Sequence, residues 1–253
     1  MMLVLGGTSD ALEIAGELYQ RKKEVVVSTA TEYGYSVSKG KFPGRVVSGK
    51  MTGEDLKNFL NKYRISCVID ASHPFAENIS QNAVSVCQEL GIKYLRFERP
   101  QVNQKNSGVI YCAGFPEAGE LAEKIPGIIF ITIGKNHIET VLAKISDKKR
   151  VRVRVLPQSE TIAQLEGLGL NADQIIAMKG PFSEEMNLLM LKETGAASLI
   201  CKDSGKQGGT EAKLEAALKL GIKTIMIRRP KIDYPNKYQD MAELINYVSQ
   251  KNY

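Results

Sequence analysis

Met1-Met2-Leu3-Val4-Leu5-Gly6-Gly7-Thr8-Ser9-Asp10-Ala11-Leu12-Glu13-Ile14-Ala15-Gly16-Glu17-Leu18 is the stretch whose reading decides the fold. The run Leu3–Gly6 is apolar enough for a strand buried on both faces. Further on, Ala11, Ile14, Ala15 and Leu18 fall on one helical face. Between them lie two glycines, which allow a tight turn and close backbone approach. A helix start offers free N–H groups to an anion. Strand, glycine turn and helix together read as the opening of a nucleotide-binding βα unit. The GxGxxG spacing is absent, so a plain tight turn is the competing reading.

The phrase returns as Gly208-Gly209-Thr210-Glu211-Ala212-Lys213-Leu214-Glu215-Ala216-Ala217. Leu, Glu and Ala are common in any helix, so chance is the alternative to a shared design. The second copy follows Lys202-Asp203-Ser204-Gly205-Lys206-Gln207 and carries Lys213 one turn into its helix. Lysines, glycines and a helix start predict an anion site; a flexible surface loop is the alternative. Leu214, Ala217 and Leu218 are expected on the buried face of this helix.

Working outward, apolar β-branched runs alternate with helical patterns. The strand candidates are 3–6, 24–29, 45–48, 67–71, 93–97, 109–112, 128–133, 151–156, 174–178, 198–202 and 223–227. Strands alternating with helices predict right-handed βαβ units, hence an α/β fold with doubly wound, mostly parallel sheets. A second repeat marks boundaries. Gly91-Ile92-Lys93 leads through a strand to Arg99-Pro100, and Gly221-Ile222-Lys223 leads to Arg229-Pro230 at the same spacing. Each glycine suits a helix end and each Arg-Pro a strand end. The junction is placed in Gln101–Gly108, giving an N-terminal domain of 1–100 and a C-terminal domain of 101–253. A last helix is expected at about Lys237 to Gln250.

Composition is that of an ordinary globular protein, with 43% hydrophobic and 25% charged residues. Cys67, Cys87, Cys112 and Cys201 are scattered without a CxxC pair, and there are 2 histidines, so no metal site is expected. Free thiols fit a reducing, cytoplasmic setting. The N-terminus has no basic n-region, and no apolar run is long enough for a bilayer, so no membrane role is expected. The net charge of +6 suits nucleic acid or a polyanionic small molecule. No basic helix face interleaved with aromatics favours nucleic acid. The run Lys148-Lys149-Arg150-Val151-Arg152-Val153-Arg154 reads as a solvated strand face.

Ligands of open α/β sheets sit beyond the carboxyl ends of strands. There, Asp10 could serve as a helix-dipole partner, and it argues against a pyrophosphate directly on that helix end. Ser28-Thr29-Ala30-Thr31 puts hydroxyls where NAD sites usually place a carboxylate, which leans toward a 2′-phosphate. Asp70-Ala71-Ser72-His73-Pro74 brings Ser72 and His73 to a strand end, with Pro74 placed as the first helical residue. Lys179 and Gly180 precede Ser183, a natural N-cap with Glu184 and Glu185 in the first turn. His137 reads as a surface or capping histidine. No Ser-His-Asp order or nucleophile elbow is present, so the chemistry is assigned to a bound cofactor.

Taken in order, Leu5-Gly6-Gly7-Thr8-Ser9-Asp10, Asp70-Ala71-Ser72-His73-Pro74-Phe75-Ala76, Arg96-Phe97-Glu98-Arg99-Pro100, Lys179-Gly180-Pro181-Phe182-Ser183, Lys202-Asp203-Ser204-Gly205 and the second glycine phrase span nearly the whole chain. Each is weak alone, but together they resemble the precorrin-6A reductases of cobalamin biosynthesis, including the cobalt-precorrin-6A forms. The resemblance implies two Rossmann-like domains with a ligand cleft between them. It implies hydride transfer from NADPH, or NADH, to a ring double bond of a polycarboxylate corrinoid, giving precorrin-6B. By the same resemblance, Gly6, Gly7, Thr8, Ser28, Thr29, Ser72, His73 and Pro74 are expected on the cofactor side, with His73 a catalytic candidate. Lys179, Gly180, Lys202, Ser204, Gly208, Gly209, Thr210 and Lys213 are expected to meet substrate carboxylates or cofactor phosphates. Competing readings are a Rossmann-type methyltransferase or sugar-nucleotide enzyme, and a non-catalytic two-domain nucleotide sensor. The oligomeric state is not fixed by the sequence.

Overall fold

Every apolar run named above forms a strand. The computed structural model describes residues 1–101, 108–251 and 253. The first unit alternates β1 (Met2–Leu5), α1 (Ser9–Gln20), β2 (Val25–Thr29), α2 (Glu32–Lys39), β3 (Arg45–Ser48), α3 (Gly53–Lys62), β4 (Cys67–Asp70), α4 (Glu77–Leu90) and β5 (Lys93–Phe97). In the second, β6 (Val109–Cys112), α5 (Phe115–Glu123), β7 (Ile128–Ile131), α6 (Ile138–Leu142), β8 (Val151–Val155) and α7 (Ser159–Gly167) come first. They are followed by β9 (Ile175–Ala177), α8 (Glu184–Glu193), β10 (Ala196–Lys202), α9 (Thr210–Lys219) and β11 (Lys223–Ile227). The tail adds β12 (Lys237–Tyr238) and α10 (Met241–Ser249).

Two parallel six-stranded sheets result, in the orders β12-β5-β4-β1-β2-β3 and β6-β11-β10-β7-β8-β9. Each is doubly wound, with the strand order reversing between β1 and β4 in one and between β7 and β10 in the other. In the first sheet, alternate residues feed two layers. Met2, Val4, Val27 and Ile69 pack with Ile14 and Leu18 of α1 and with Leu244 and Val248 of α10. Leu3, Leu5, Val26 and Val68 pack with Leu56, Leu60, Ala83 and Cys87 of α3 and α4. In the second sheet, Phe130, Leu199, Cys201 and Met226 pack with Met190, Leu214 and Ala217.

The chain divides into Met1–Pro100 with Pro230–Tyr253, and Gln101–Arg229. The tail therefore does not belong to the C-terminal domain of 101–253 expected from sequence order. Its β12 hydrogen-bonds to β5, with Lys237 against Arg96 and Tyr238 against Phe97, and α10 packs on α1. The tail helix also starts at Met241, because Lys237 and Tyr238 are spent on the strand. Each sheet thus takes its sixth strand from chain that has just left the other unit: β6 follows β5, and β12 follows β11. Most of the junction 101–108 lies outside the described residues. Among the described residues, no helix is long and apolar enough to cross a membrane. All four cysteines are free and buried.

Candidate active site

The first glycine turn is built for close packing. Gly6 N donates to Ser28 O at 2.7 Å, and a Cβ on Gly6 would meet that oxygen at 2.9 Å and Val27 Cγ1 at 3.0 Å. Gly7 has φ +95°, with nothing within 4 Å of where a Cβ would stand. Thr8 caps α1: its Oγ1 accepts from Ala11 N at 3.1 Å and donates to Ala71 O at 2.7 Å. The turn is thereby tied to the ends of β2 and β4, so the loops bearing Gly6, Ser28 and Ser72 come together.

Ser28 and Thr29 are buried. The Thr29 hydroxyl points to the carbonyls of Thr31 and Val47, each at 3.5 Å. Thr31 caps α2, and Ser48 Oγ donates to Glu32 Oε1 at 2.7 Å. At the end of β4, Asp70 is wholly buried. Its Oδ1 accepts from Arg96 Nη1 at 2.8 Å and from Ser72 N at 3.0 Å, while Oδ2 accepts from Ser80 Oγ at 2.6 Å and Tyr94 OH at 2.7 Å. Burial, then the Asp70 charge, push the Tyr94 phenol far above its usual range, so it stays a donor. Arg96 also reaches Ser72 Oγ at 3.2 Å and lies 5.1 Å from the Tyr234 ring centre. His73 Nδ1 accepts from Phe75 N at 3.2 Å, which leaves the proton of the neutral ring on Nε2. Pro74 is not the first helical residue. It sits in a turn closed by Ala76 N donating to His73 O at 2.7 Å, and α4 starts at Glu77. Proline disfavours the helical region for the residue before it, and the helix begins only after the turn.

In the second unit the lysine loop is ordered by its own hydrogen bonds. Ser204 N donates to Thr210 Oγ1 at 3.0 Å, Gly205 N to Asp203 Oδ1 at 3.1 Å, and Thr210 N to Gly205 O at 3.3 Å. The second copy of the glycine phrase is shifted against the helix. Gly209, at φ +70°, is the N-cap and Thr210 is already helical, whereas Thr8 is itself the cap. Thr210 Oγ1 donates to Lys202 O at 3.4 Å. The buried residues of α9 are Thr210, Lys213, Leu214, Ala216 and Ala217, and Leu218 is 44% exposed. Lys213 is thus on the inward face, spaced with 210, 214 and 217 by the helical repeat, and Leu218, expected there, is not. A Cβ on Gly209 would lie 3.8 Å from Pro181, so the Gly180-Pro181 turn abuts this loop. Lys179 is exposed. Ser183 caps α8 as expected, accepting from Met186 N at 3.3 Å.

Cations converge on this loop. Burial pushes the Lys202 ammonium down to about 8, with the Lys213 charge adding to the effect. Burial pushes Lys213 down to about 8 as well, and Arg154 adds to it. Arg154 is not on a solvated strand face. It is 7% exposed, donates to Asn187 Oδ1 at 2.8 Å, and lies 4.1 Å from the Phe182 ring centre, and burial lowers it to about 10. α8 covers that face of β8, so strand alternation there does not mean water. His137, ahead of α6, stacks on Phe115 at 3.9 Å between centroids, and burial and the Lys202 charge hold it below its ordinary value. No local pattern marks Arg154 as a buried cation of the site, or Asp70 and Arg96 as partners. Among the described residues, no group of three or more His, Cys, Asp or Glu could hold a metal ion.

The family model described as "Precorrin-6x reductase CbiJ/CobK" matches residues 1–249. The chain is 38% identical to the cobalt-precorrin-6A reductase of Methanocaldococcus jannaschii over 250 residues, covering 98% of each. It is 33% identical to that of Priestia megaterium, covering 97% of each. Identity to the precorrin-6A reductase of Rhodobacter capsulatus is 31%, over 91% of this chain and 88% of that one. The solved structure titled "CobK precorrin-6A reductase" superposes with a TM-score of 0.81 at 25% identity, over 98% of this chain and 96% of that one. Sequence and fold agree, and the chain belongs to the precorrin-6x reductase CbiJ/CobK family of cobalamin biosynthesis.

Proposed function

We propose that this chain reduces a ring double bond of precorrin-6A or cobalt-precorrin-6A with a hydride from NADPH, or from NADH, giving precorrin-6B. The observation that carries this reading is the family match over residues 1–249. The Gly6 turn fits a dinucleotide: its backbone is open at Gly7, and the first N–H groups of α1 lie beside it. When bound, the cofactor supplies the hydride. The chain's own residues then have three tasks. Gly6, Gly7 and Thr8 shape the turn the cofactor approaches, and Asp70 and Arg96 hold the Ser72-His73 loop. Lys202, Lys213 and the neighbouring Gly208–Thr210 turn receive the anionic oxygens of the corrinoid or of the cofactor phosphates. Lys179 and Gly180 flank that turn. His73, with its proton on Nε2, is the candidate catalytic side chain.

The test is anaerobic incubation of the purified protein with fresh precorrin-6A and NADPH or NADH, following the absorbance of cofactor and tetrapyrrole together. Equimolar cofactor oxidation and loss of the substrate chromophore is the expected result. No oxidation of either cofactor, with both metal-free and cobalt-bearing substrate present, would overturn the reading.

A further inference from the structure

Each unit places one aspartate close to its glycine turn, Asp10 in the first turn of α1 and Asp203 just after β10, and in each the arginine of an Arg-Pro step takes hold of it. In the first, Arg99 Nε donates to Asp10 Oδ2 at 2.7 Å, and Nη2 lies 2.5 Å from the same oxygen. In the second, Arg229 Nε donates to Asp203 O at 3.1 Å, and Nη2 reaches Asp203 Oδ1 at 3.3 Å. Asp10 and Asp203 are 4% and 5% exposed. Both arginines stand two residues beyond the last strand before the chain passes from one unit to the other, β5 or β11.

Asp10 occupies a position that is otherwise unfavourable. It is the second residue of α1, next to the N–H groups that would face the phosphates of a dinucleotide, and a second anion there would repel them. Its Oδ1 is buried without a hydrogen-bond partner, so the loop itself does not neutralise it. The neutralising charge comes from Arg99. In the second unit, Asp203 adjoins Lys202 in sequence and could cancel the loop's positive charge. Arg229 engages it through both its backbone oxygen and its carboxylate. The same arrangement in two separate units argues against an accident of one side chain.

We propose that Arg99 is a positioning residue that shields charge: by holding and neutralising Asp10, it makes the Gly6 turn compatible with the diphosphate of a nicotinamide dinucleotide. This rests on the reading that such a cofactor meets that turn. Asp10 then needs no contact with the ligand; it is the group that must be silenced.

The test is a titration of NADPH into the full chain, read by nicotinamide fluorescence, for the wild type, Asp10→Asn, Arg99→Gln, Arg99→Lys and the double variant Asp10→Asn/Arg99→Gln. Arg99→Gln is expected to weaken binding by about 10-fold or more, since an uncompensated buried carboxylate remains. Arg99→Lys keeps the charge and is expected within about 3-fold of the wild type. The double variant removes both charges and is expected to recover to within about 3-fold as well. A merely structural role for Arg99 would leave the double variant as weak as Arg99→Gln, and that result overturns the proposal. Weakened binding in Asp10→Asn also overturns it, because Asp10 would then be a ligand. Should Arg99→Gln fail to fold, as seen by thermal melting, the lysine and double variants decide by the same thresholds. A wild type that binds neither NADPH nor NADH overturns the cofactor reading and the proposal with it, whereas wild-type binding without rescue overturns the proposal alone.

Discussion

Arg96 Nη1 lies 2.8 Å from Asp70 Oδ1, and neither side chain reaches solvent. The pair closes a network with Ser72, Ser80 and Tyr94 directly beneath the loop that carries His73. Arg96→Met leaves the Asp70 carboxylate buried without its counter-charge, so a loss of about 3–5 kcal/mol is expected. Chemical denaturation measures it, and an unchanged midpoint would contradict the role given to the pair.

Lys213 is 7% exposed and carries a charge that burial disfavours. Lys213→Met should therefore stabilise the ligand-free protein, by about 1–3 kcal/mol, while raising the KM for the tetrapyrrole about 10-fold or more. Thermal melting and steady-state kinetics on the same preparation check the two halves. A variant that is both less stable and fully active would remove Lys213 from the anion site.

The pH dependence of binding and of stability should run in opposite directions. Lys202 and Lys213 titrate near 8 in the folded chain against an ordinary 10.5. Below pH 8 both states are protonated, and the desolvation cost is fully present. Between 8 and 10.5 the unfolded chain holds more protons, so stability rises with pH. Over the same interval the site loses its positive charge, and the KM for a polycarboxylate rises. Melting curves and KM from pH 7 to 9.5 read both trends; parallel movement would contradict the assignment.

Gly6→Ala would place a Cβ 2.9 Å from Ser28 O, the carbonyl that accepts from Gly6 N. The strand ends must part to admit it, at a cost of about 1–3 kcal/mol. Cofactor affinity should fall together with the melting temperature. An alanine variant with wild-type affinity would mean that the close packing of β1 and β2 does not shape the cofactor turn.

Strand after strand could be read in advance because a strand covered on both faces leaves an uninterrupted apolar run, as in Val25-Val26-Val27. β12 could not. It is Lys237-Tyr238, has no apolar run, and is a strand only because β5 offers a free edge. Arg154 was misread for a related reason: Val151-Arg152-Val153-Arg154 alternates as an amphipathic strand does, but α8 covers the face that Arg154 occupies. The loops of the site were visible as glycines and lysines at strand ends. Which aspartate each Arg-Pro arginine takes is a contact across 89 residues in one unit and 26 in the other, and no local pattern encodes it.

The exchanged sixth strands bear on how the molecule is made. On a ribosome the first sheet emerges as β1 to β5 and then waits, its β5 edge bare, while the whole second unit is synthesised. That edge is closed only when Lys237 and Tyr238 arrive. A nascent chain stalled before residue 230 would carry a complete second sheet and an unfinished first one, whose bare β5 edge is an exposed template for strand addition by a neighbouring polypeptide.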